Sequence, residues 1–308
     1  MALTYARVED FTKLKKIETA ESSAADEYEI IRRYLREATR LIDRYTLRHF
    51  FPICEQREYP VPAEFVNLRF RVFPSADLNL DDDLLSITTL ETGVTGNLTE
   101  LTEDTHFQKR PWNDYPKYGL RLMFPTFWNG VLTSLNNWRI PSIFVTGVWG
   151  YHERYETDAW IDTNVNLQAE LNATDTTFNI PAVADPAVVD DVGDTDIQAG
   201  ELLKIEDEYL EVVSVSDADP RVVTVRRSRN GTTAAVHASA TDIYKWNVHE
   251  DIQELCLDIA KTWREKGTTF GGRAGVSDMS VGAKLAISDD TLTMLVNYQR
   301  ETVLEGWQ

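Results

Sequence analysis

The stretch VRRSRNGTTAAVHASATDIY, residues 225–244, gathers the residue types best able to bind an anion or take part in catalysis. It contains Arg226, Arg227, Arg229, Asn230, Gly231 and His237. No serine, carboxylate or second histidine recurs at a spacing that would complete a catalytic set. The Asn-Gly pair is instead what a type I′ turn requires, because both central residues of that turn need a positive φ. We therefore predict that Asn230 and Gly231 form a structural hairpin between the strands VVTVRRSR and ATDIYKW.

Sequence motifs for metal and nucleotide binding are missing. The other histidines are scattered and form no HExxH pair; they are His49, His106, His152 and His249. The patterns GxSxG, GxxxxGK[ST] and GxGxxG do not occur either. Cys54 and Cys256 lie in no CxxC pair, and we expect reduced thiols, with Cys256 on the apolar face of a helix. The predictions are no catalytic, metal or cofactor residues, no cofactor, and a protein that is not an enzyme.

The acidic stretch DDVGDTDIQAGE, residues 190–201, is the one remaining candidate for a cation site. On a calcium-binding loop its ligands would be Asp190, Asp194, Asp196 and Glu201. Val192 stands at a ligand position and Thr195 where the loop needs glycine, so an EF-hand is rejected. A weak irregular Ca²⁺ site and a solvated acidic loop both remain open.

Net charge narrows the classes of partner. The formal charge is −19, and residues 151–220 hold 18 acidic residues against two basic ones. Such a surface repels nucleic acid and anionic membranes. No run of about 18 apolar residues predicts a transmembrane helix, and the N-terminus lacks the apolar core of a signal peptide. We expect a protein made and used inside a cell, without membrane partners.

Three segments have helical periodicity. Residues 26–48 carry an apolar stripe formed by Tyr28, Ile31, Leu35, Ala38, Leu41, Ile42 and Tyr45. Residues 247–267 place Val248, Ile252, Leu255, Cys256, Ile259 and Trp263 on one face. Ser288 caps a last helix whose shared face is predicted to hold Leu292, Leu295, Val296, Gln299 and Val303. We interpret the three stripes as surfaces that sister copies and a docking collar cover.

Arginine recurs every fourth residue along the first long helix, at Arg32, Arg36, Arg40, Arg44 and Arg48. Four residues overshoot one helical turn by about 40°, so the basic stripe winds slowly around the helix. It is either a solvated face or a contact with a neighbouring subunit, an acidic partner protein or DNA phosphate.

The middle of the chain reads as two β segments. Predicted strands lie at 67–73, 84–92, 118–124 and 140–151, and a second set runs from VNLQAEL to ATDIYKW within 165–246. The predicted fold class is α+β: a helical adaptor core of N- and C-terminal helices, a β-rich domain and a small inserted β-barrel or hairpin module. The predicted segments are 1–52 (helical), 53–152 (β-rich), 153–246 (inserted acidic module) and 247–308 (C-terminal helices and tail).

The second β segment resembles a small module of tailed-phage virion proteins. That module has a strand pair around E-x-hydrophobic-x-V, followed by V-x-R-G-x-N-G-T-x-A-x-x-H. The matching residues are Arg227, Asn230, Gly231, Thr232, Ala234 and His237, with Ser228 in place of the usual glycine. The resemblance implies that the motif is structural.

The flanking segments are similar to head–tail connector proteins, the adaptor or neck proteins of tailed phages. The similarity covers roughly 26–152 and 245–300 and is carried by IRRYLREATRLIDRYTLRHFFP, LDDDLLSITTLETG, RPWNDYPKYGLRL, IFVTGVWGYHE and VHEDIQELCLDIAKTWRE.

This resemblance implies a structural protein of the virion neck, assembled in the host cytoplasm. It would form a ring, commonly of twelve copies, beneath the portal protein, and join the DNA-filled capsid to the tail or the next neck protein. Double-stranded DNA would pass through its channel. In the family the C-terminal segment reaches into the portal, which maps to 271–288 and to Leu292, Leu295, Val296, Gln299 and Val303. The arginine stripe would be a subunit interface or a contact to an acidic partner.

Two other functions remain open. A receptor- or carbohydrate-binding phage protein would use Trp112, Tyr115, Trp128 and Trp138 as a sugar platform, unless these side chains only anchor the β domain. A hydrolase would use the 190–201 carboxylates with a metal ion.

Overall fold

The computed structural model describes residues 3–15, 24–60, 62, 75–94, 97–123, 142–181, 197–216, 220–266 and 287–300. Within these ranges the helices are α1 (Val8–Lys15), α2 (Ala24–Thr46), α3 (Glu250–Lys266) and α4 (Asp289–Asn297). The strands are β1 (Ile53–Pro60), β2 (Ser75–Val94), β3 (Asn97–Glu100), β4 (Phe107–Arg110), β5 (Lys117–Met123), β6 (Ser142–Trp149), β7 (Trp160–Asn166), β8 (Thr177–Ile180), β9 (Leu202–Ile205), β10 (Glu208–Val215), β11 (Arg221–Arg226) and β12 (Asp242–Trp246).

The chain divides into two compact units. The first unit joins Met1–Phe50 with Asp158–Gln308, and the second unit is Phe51–Thr157. The four segments predicted from the sequence therefore correspond to two units, because the inserted β module shares one unit with the N- and C-terminal helices.

The second unit is built on an antiparallel sheet in the order β1-β6-β2-β5-β4, with β3 paired to β2. β6 alternates buried and half-buried residues along its length, the pattern of a strand with one face on the core. The core comprises Leu78, Leu84, Leu90, Leu120, Leu122, Ile143, Val145 and Trp149 among others. The predicted strands at 84–92, 118–124 and 140–151 fall on β2, β5 and β6, whereas 67–73 lies outside the described residues.

The first unit contains the other six-stranded antiparallel sheet, in the order β7-β12-β9-β10-β11-β8. Its core is rich in branched apolar residues, among them Leu171, Ile180, Leu203, Ile205, Leu210, Val212, Val223 and Ile243. The predicted long strand ELLKIEDEYLEVVSVS is divided into β9 and β10, which pair across Glu206 and Asp207. Glu206 has φ 52°, so the chain reverses there although neither turn residue is glycine or proline.

Helices α2, α3 and α4 pack on one another in the first unit. Cys256 Sγ of α3 lies 3.7 Å from Thr39 Oγ1 and from the Leu35 carbonyl oxygen of α2. Arg264, near the end of α3, pairs with Glu27, near the start of α2, so the two helices run antiparallel. Ser288 caps α4 as predicted, with its side chain accepting a hydrogen bond from Thr291 N.

The predicted apolar stripes are buried within the chain itself. Ile31, Leu35, Ala38, Leu41 and Ile42 of α2 are all buried, as are Val248, Ile252, Leu255, Cys256, Ile259 and Trp263 around α3. The interpretation that sister copies cover these stripes is therefore wrong for α2 and α3, because the two helices cover each other.

The predicted fold class, an α+β fold on a helical adaptor core, is also wrong. The structure is mostly β, with two antiparallel six-stranded sheets and a smaller group of helices. Each sheet has its own hydrophobic core, so the helices at the two ends of the chain are not the framework that holds the β segments. None of the four described helices is long and apolar enough to cross a membrane.

Candidate functional site

Arg227 and Glu208 form the centre of the 225–244 stretch. Glu208 lies on β10 with its side chain 1% exposed, and both of its oxygens are 2.6 Å from the Arg227 guanidinium. Burial alone would raise the pKa of Glu208, but hydrogen bonds from Arg227, Ala235 N, His237 and Ser228 N outweigh it and lower the pKa to about 2. The carboxylate is therefore a fixed anion that organises the loop around it.

The same guanidinium also holds neighbouring backbone. Arg227 donates to the carbonyl oxygens of Asn172 at 2.7 Å, Asp175 at 3.1 Å and Ala235 at 2.6 Å. His237 joins the network through Nε2 to Glu208 at 3.0 Å and Nδ1 to Glu206 at 2.7 Å. One arginine thus ties the β7–β8 loop and the β11–β12 loop of the first unit to β10, a structural role.

The other two arginines of the stretch pair with Glu211 of β10. Its side chain is 1% exposed and lies 3.3 Å from Arg226 and 3.1 Å from Arg229. Burial raises the pKa of Glu211, although Arg229 and Arg32 of α2 act against the rise. All three arginines therefore pair with the protein's own buried carboxylates. Their charges balance these carboxylates rather than forming a site for an external anion.

The Asn-Gly pair forms a tight turn but not the predicted hairpin. Asn230 has φ 48° and Gly231 φ 86°, and Thr232 N donates to the Arg229 carbonyl oxygen across the turn. The strands on either side, β11 and β12, are not neighbours in the sheet, because β9 and β10 lie between them. The hairpin prediction is thus wrong, and the turn instead folds a loop back over β10. Ser228 has φ 55°, which explains why glycine suits its position in the motif.

The predicted arginine stripe of α2 does not lie on one surface. Arg40 and Arg44 are exposed, whereas Arg32, Arg36 and Arg48 are partly buried. The slow winding of a four-residue repeat carries the ends of the stripe towards the packed side of the helix. Arg33, outside the repeat, is exposed and lies on the same side as Arg40, seven residues on.

The predicted portal-binding residues are divided as well. Leu295 is fully buried and Leu292 partly buried, while Val296 is 49% exposed and Gln299 is exposed. α4 ends at Asn297, so Gln299 lies beyond the helix, and Val303 lies outside the described residues. Leu295 packs within its own chain, and among the described members of the set Val296 and Gln299 are the exposed ones.

The acidic stretch 190–201 is described only from Ile197 onwards. Glu201 lies 3.3 Å from Arg7 and 3.6 Å from Lys245, so this carboxylate is neutralised by bases from distant parts of the chain. Among the residues that the structure describes, no group of three His, Cys, Asp or Glu side chains gathers as a metal site. Asp190, Asp194 and Asp196 lie outside those residues.

The aromatic residues proposed as a sugar platform are only partly visible, since Trp128 and Trp138 lie outside the described residues. Trp112 is 62% exposed and carries the Arg110 guanidinium 3.8 Å from its ring centre. Tyr115 is half-buried, with its hydroxyl 2.5 Å from Glu156. Tyr118 on β5 is 57% exposed and was not predicted as a member of the set.

A buried polar group in the helical part was missed by sequence reasoning. Tyr5 donates a short hydrogen bond to Asp43 of α2 and accepts one from Phe50 N at 3.0 Å. Burial raises the pKa of Asp43 to about 6, although the Tyr5 hydrogen bond and nearby His49 lower it. Tyr5 precedes α1 without any recognisable motif, and the contact joins residues 38 positions apart, so no local pattern could reveal it.

Asp43→Asn is expected to stabilise the protein more at pH 8 than at pH 5. The folded pKa lies above the usual value of about 4, so the neutral carboxyl is favoured and its contribution is lost as pH rises through 6. The full cost of ionisation is up to about 3 kcal/mol, and about 1 kcal/mol of it falls between pH 5 and 8. Urea denaturation at both pH values measures the change in the free energy of unfolding, with Asp207→Asn in the exposed β9–β10 turn as control. A gain of equal size at both pH values would contradict the prediction.

Comparison with known proteins finds no matching family model, no matching curated protein and no matching solved structure.

Proposed function

We propose that the chain is a structural protein of the tailed-phage neck, a head–tail connector that forms a ring beneath the portal and joins it to the tail or the next neck protein. The observation that carries the proposal is the role of the phage-module motif. Arg227, Ser228, Asn230, Gly231 and His237 all serve the geometry of one loop through Glu208 or a positive φ. This supports the structural role that the module has in the virion proteins it resembles.

The exposed end of α4 is proposed as the portal contact. Val296 is an exposed apolar residue beside exposed Gln299, and a collar that docks on this end would remove Val296 from water. The helix is anchored behind this surface, because Leu295 is buried and Arg300 N donates to the Thr46 carbonyl oxygen of α2. A rigid support of this kind reduces the entropy lost on binding.

Electron microscopy of the full chain, alone and with the portal protein of the same phage, tests this function. We expect ring-shaped particles and portal-bound collars, and particles without tails when the gene is deleted. Val296→Asp should abolish the portal-bound collars, whereas Val236→Asp, at a residue 57% exposed on the loop of the first unit, should leave them intact. Deletion particles that attach tails normally would overturn the proposal.

Glycan binding is a second candidate function, favoured by the exposed rings of Trp112 and Tyr118 in the second unit. Exposed aromatic rings are the surfaces on which sugars stack. Binding to a glycan array that is lost in Trp112→Ala would support this function over the connector. If the wild-type chain binds no glycan on the array, glycan binding is excluded as a function.

A further inference from the structure

Two helices of the first unit carry opposite charges on their outer faces. Arg33, Arg40 and Arg44 are exposed on α2 together with one acid, Glu29, and this basic face also carries the exposed apolar side chain of Ile30. The outer side of α3 is an acidic face, formed by the exposed residues Glu250, Asp251, Glu254, Asp258 and Glu265 with one base, Lys261. The net charge of the chain is −19, so an exposed face with more bases than acids differs in sign from the chain as a whole.

The acidic face extends onto α4. Thr291 donates to Asp258 at 2.5 Å, which places the N-terminal turn of α4 against α3. That turn contributes the exposed carboxylates Asp289 and Asp290. The acidic face is thus formed by two helices held together, whereas the basic face belongs to α2.

The two faces point away from each other. At 100° per residue, Arg33 and Arg40 lie roughly 180° around α2 from its buried residues, and Glu250 and Glu254 lie roughly 180° around α3 from its buried residues. Because α2 and α3 pack through those buried sides, the basic and acidic faces lie on opposite sides of the pair. One copy therefore cannot bring its own two faces together.

Two side chains on each face form no ion pair in the part of the chain that the structure describes. Within the described residues, Arg33, Arg40, Glu250 and Glu254 each lack an oppositely charged group at ion-pair distance. At 1.5 Å per residue, the exposed bases at 33–44 span about 17 Å of α2 and the acids at 250–265 span about 22 Å of α3, so the acidic face is long enough to cover the basic face. An acidic surface of the required size is thus present on every other copy of the chain.

We infer that α2 of one copy docks its basic face on the acidic α3–α4 face of a second copy, in a head-to-tail contact. A contact between two different faces leaves one of each free on the pair, so it continues from copy to copy and closes into a ring when the rotation allows. The inference rests on the ring assembly of the proposed function and names the surfaces that form it. At about 0.15 M salt the Debye length is about 8 Å, so the mutual repulsion of the acidic copies is largely screened while charges in contact still attract.

The test is a charge exchange between two variants of the full chain. Arg33→Glu/Arg40→Glu makes both faces acidic, and Glu250→Lys/Glu254→Lys makes the 250–261 part of the acidic face basic, with three bases against Asp251 and Asp258. We expect each variant alone to associate at least about tenfold more weakly than wild type in sedimentation velocity at 0.15 M salt. An equimolar mixture should assemble again, because each reversed face then meets its complement on the other variant.

Single substitutions provide a matched control. Arg40→Glu and Lys261→Glu lower the net charge equally, but the first removes a positive charge from the basic face and the second strengthens the acidic face. Self-association should weaken in Arg40→Glu and not in Lys261→Glu. Thermal denaturation should show that all variants fold, since the replaced side chains are exposed.

Three results would overturn the inference: a wild-type chain that stays monomeric, a mixture of the two variants that does not assemble, or Arg33→Glu/Arg40→Glu losing affinity for double-stranded DNA while still self-associating. Portal-bound collars seen together with any of these would leave the proposed function standing, since Val296 lies outside both substituted sets.

Discussion

Arg227→Met is expected to destabilise the first unit by about 3 kcal/mol, because it leaves the buried Glu208 carboxylate without its cation. Methionine preserves much of the apolar stem, so the loss reports the guanidinium rather than the side-chain volume. Three donors to Glu208 remain, from Ser228 N, Ala235 N and His237, which keeps the loss below that of a fully orphaned charge. Urea denaturation measures the change, and hydrogen exchange should show faster opening of the β10 and β11 amides.

The neighbouring arginine is the control. Arg226→Met removes the same group from a side chain that is 35% exposed and 3.3 Å from Glu211, so its cost should stay below about 1 kcal/mol. Adding Glu208→Gln to Arg227→Met should recover part of the loss, since the unpaired charge is then gone. Equal effects of the two arginine substitutions would show that the buried pair does not hold the loop.

Acid sensitivity gives an independent measure of the same pair. The folded pKa of Glu208, about 2, lies below its usual value of 4.5, so its contribution is present above pH 4.5 and is lost as pH falls through 2. The difference corresponds to roughly 3 kcal/mol. In Arg227→Met the pKa of Glu208 should rise, and this acid-dependent loss of stability should shrink.

Helices and turns were predicted well where the pattern that specifies them repeats over a few residues. The buried residues of α2 and α3 recur at three and four positions, and the cap of α4 is set by Ser288 and Thr291, three residues apart. These elements depend on neighbours along the chain, so their signal is in the sequence. The same is true of the Asn230-Gly231 turn, whose positive φ angles need those residue types.

Features set by distant pairing could not be predicted. The turn was expected to join paired strands, but the sheet places β9 and β10 between β11 and β12. β1 has the sequence ICEQREYP and lies at the edge of its sheet. Because most of its residues are polar, no continuous apolar pattern in the sequence indicates a strand there. Missing such strands made the helices look like the main framework, and the fold class was wrong for that reason.

The acidic charge of residues 151–220 was also misinterpreted, because the partners of several carboxylates are distant in sequence. Residues 151–220 look like an unbalanced acidic segment, but Glu201, Glu208 and Glu211 meet bases from outside it. Arg7 reaches Glu201 across 194 residues of sequence, and Arg227 reaches Glu208 across 19. A local charge count cannot distinguish a carboxylate in a buried ion pair from one in water. Three of these acids therefore contribute to the stability of the first unit rather than to an acidic docking surface.

Gly147→Ala is expected to destabilise the second unit by at least about 3 kcal/mol, because the added methyl group would meet backbone. A Cβ at this position would lie 2.1 Å from the Ser86 carbonyl oxygen and 3.2 Å from Leu84 Cδ1. β6 is held between β1 and β2, and β2 is irregular in register on both sides of this point, which brings its backbone close to Gly147. A side chain could rotate away from the new methyl group, but a paired strand cannot move without losing ladder hydrogen bonds.

Gly119→Ala on β5 of the same sheet is the matched control. There the added Cβ would lie 3.3 Å from the Leu78 carbonyl oxygen, a tight contact that a shift of a few tenths of an ångström relieves. Its cost should stay below about 1 kcal/mol, so the two variants separate loss of glycine from backbone overlap. Urea denaturation followed by circular dichroism provides both values. If Gly147→Ala were as stable as Gly119→Ala, β2 and β6 could not approach each other as closely as the structure places them.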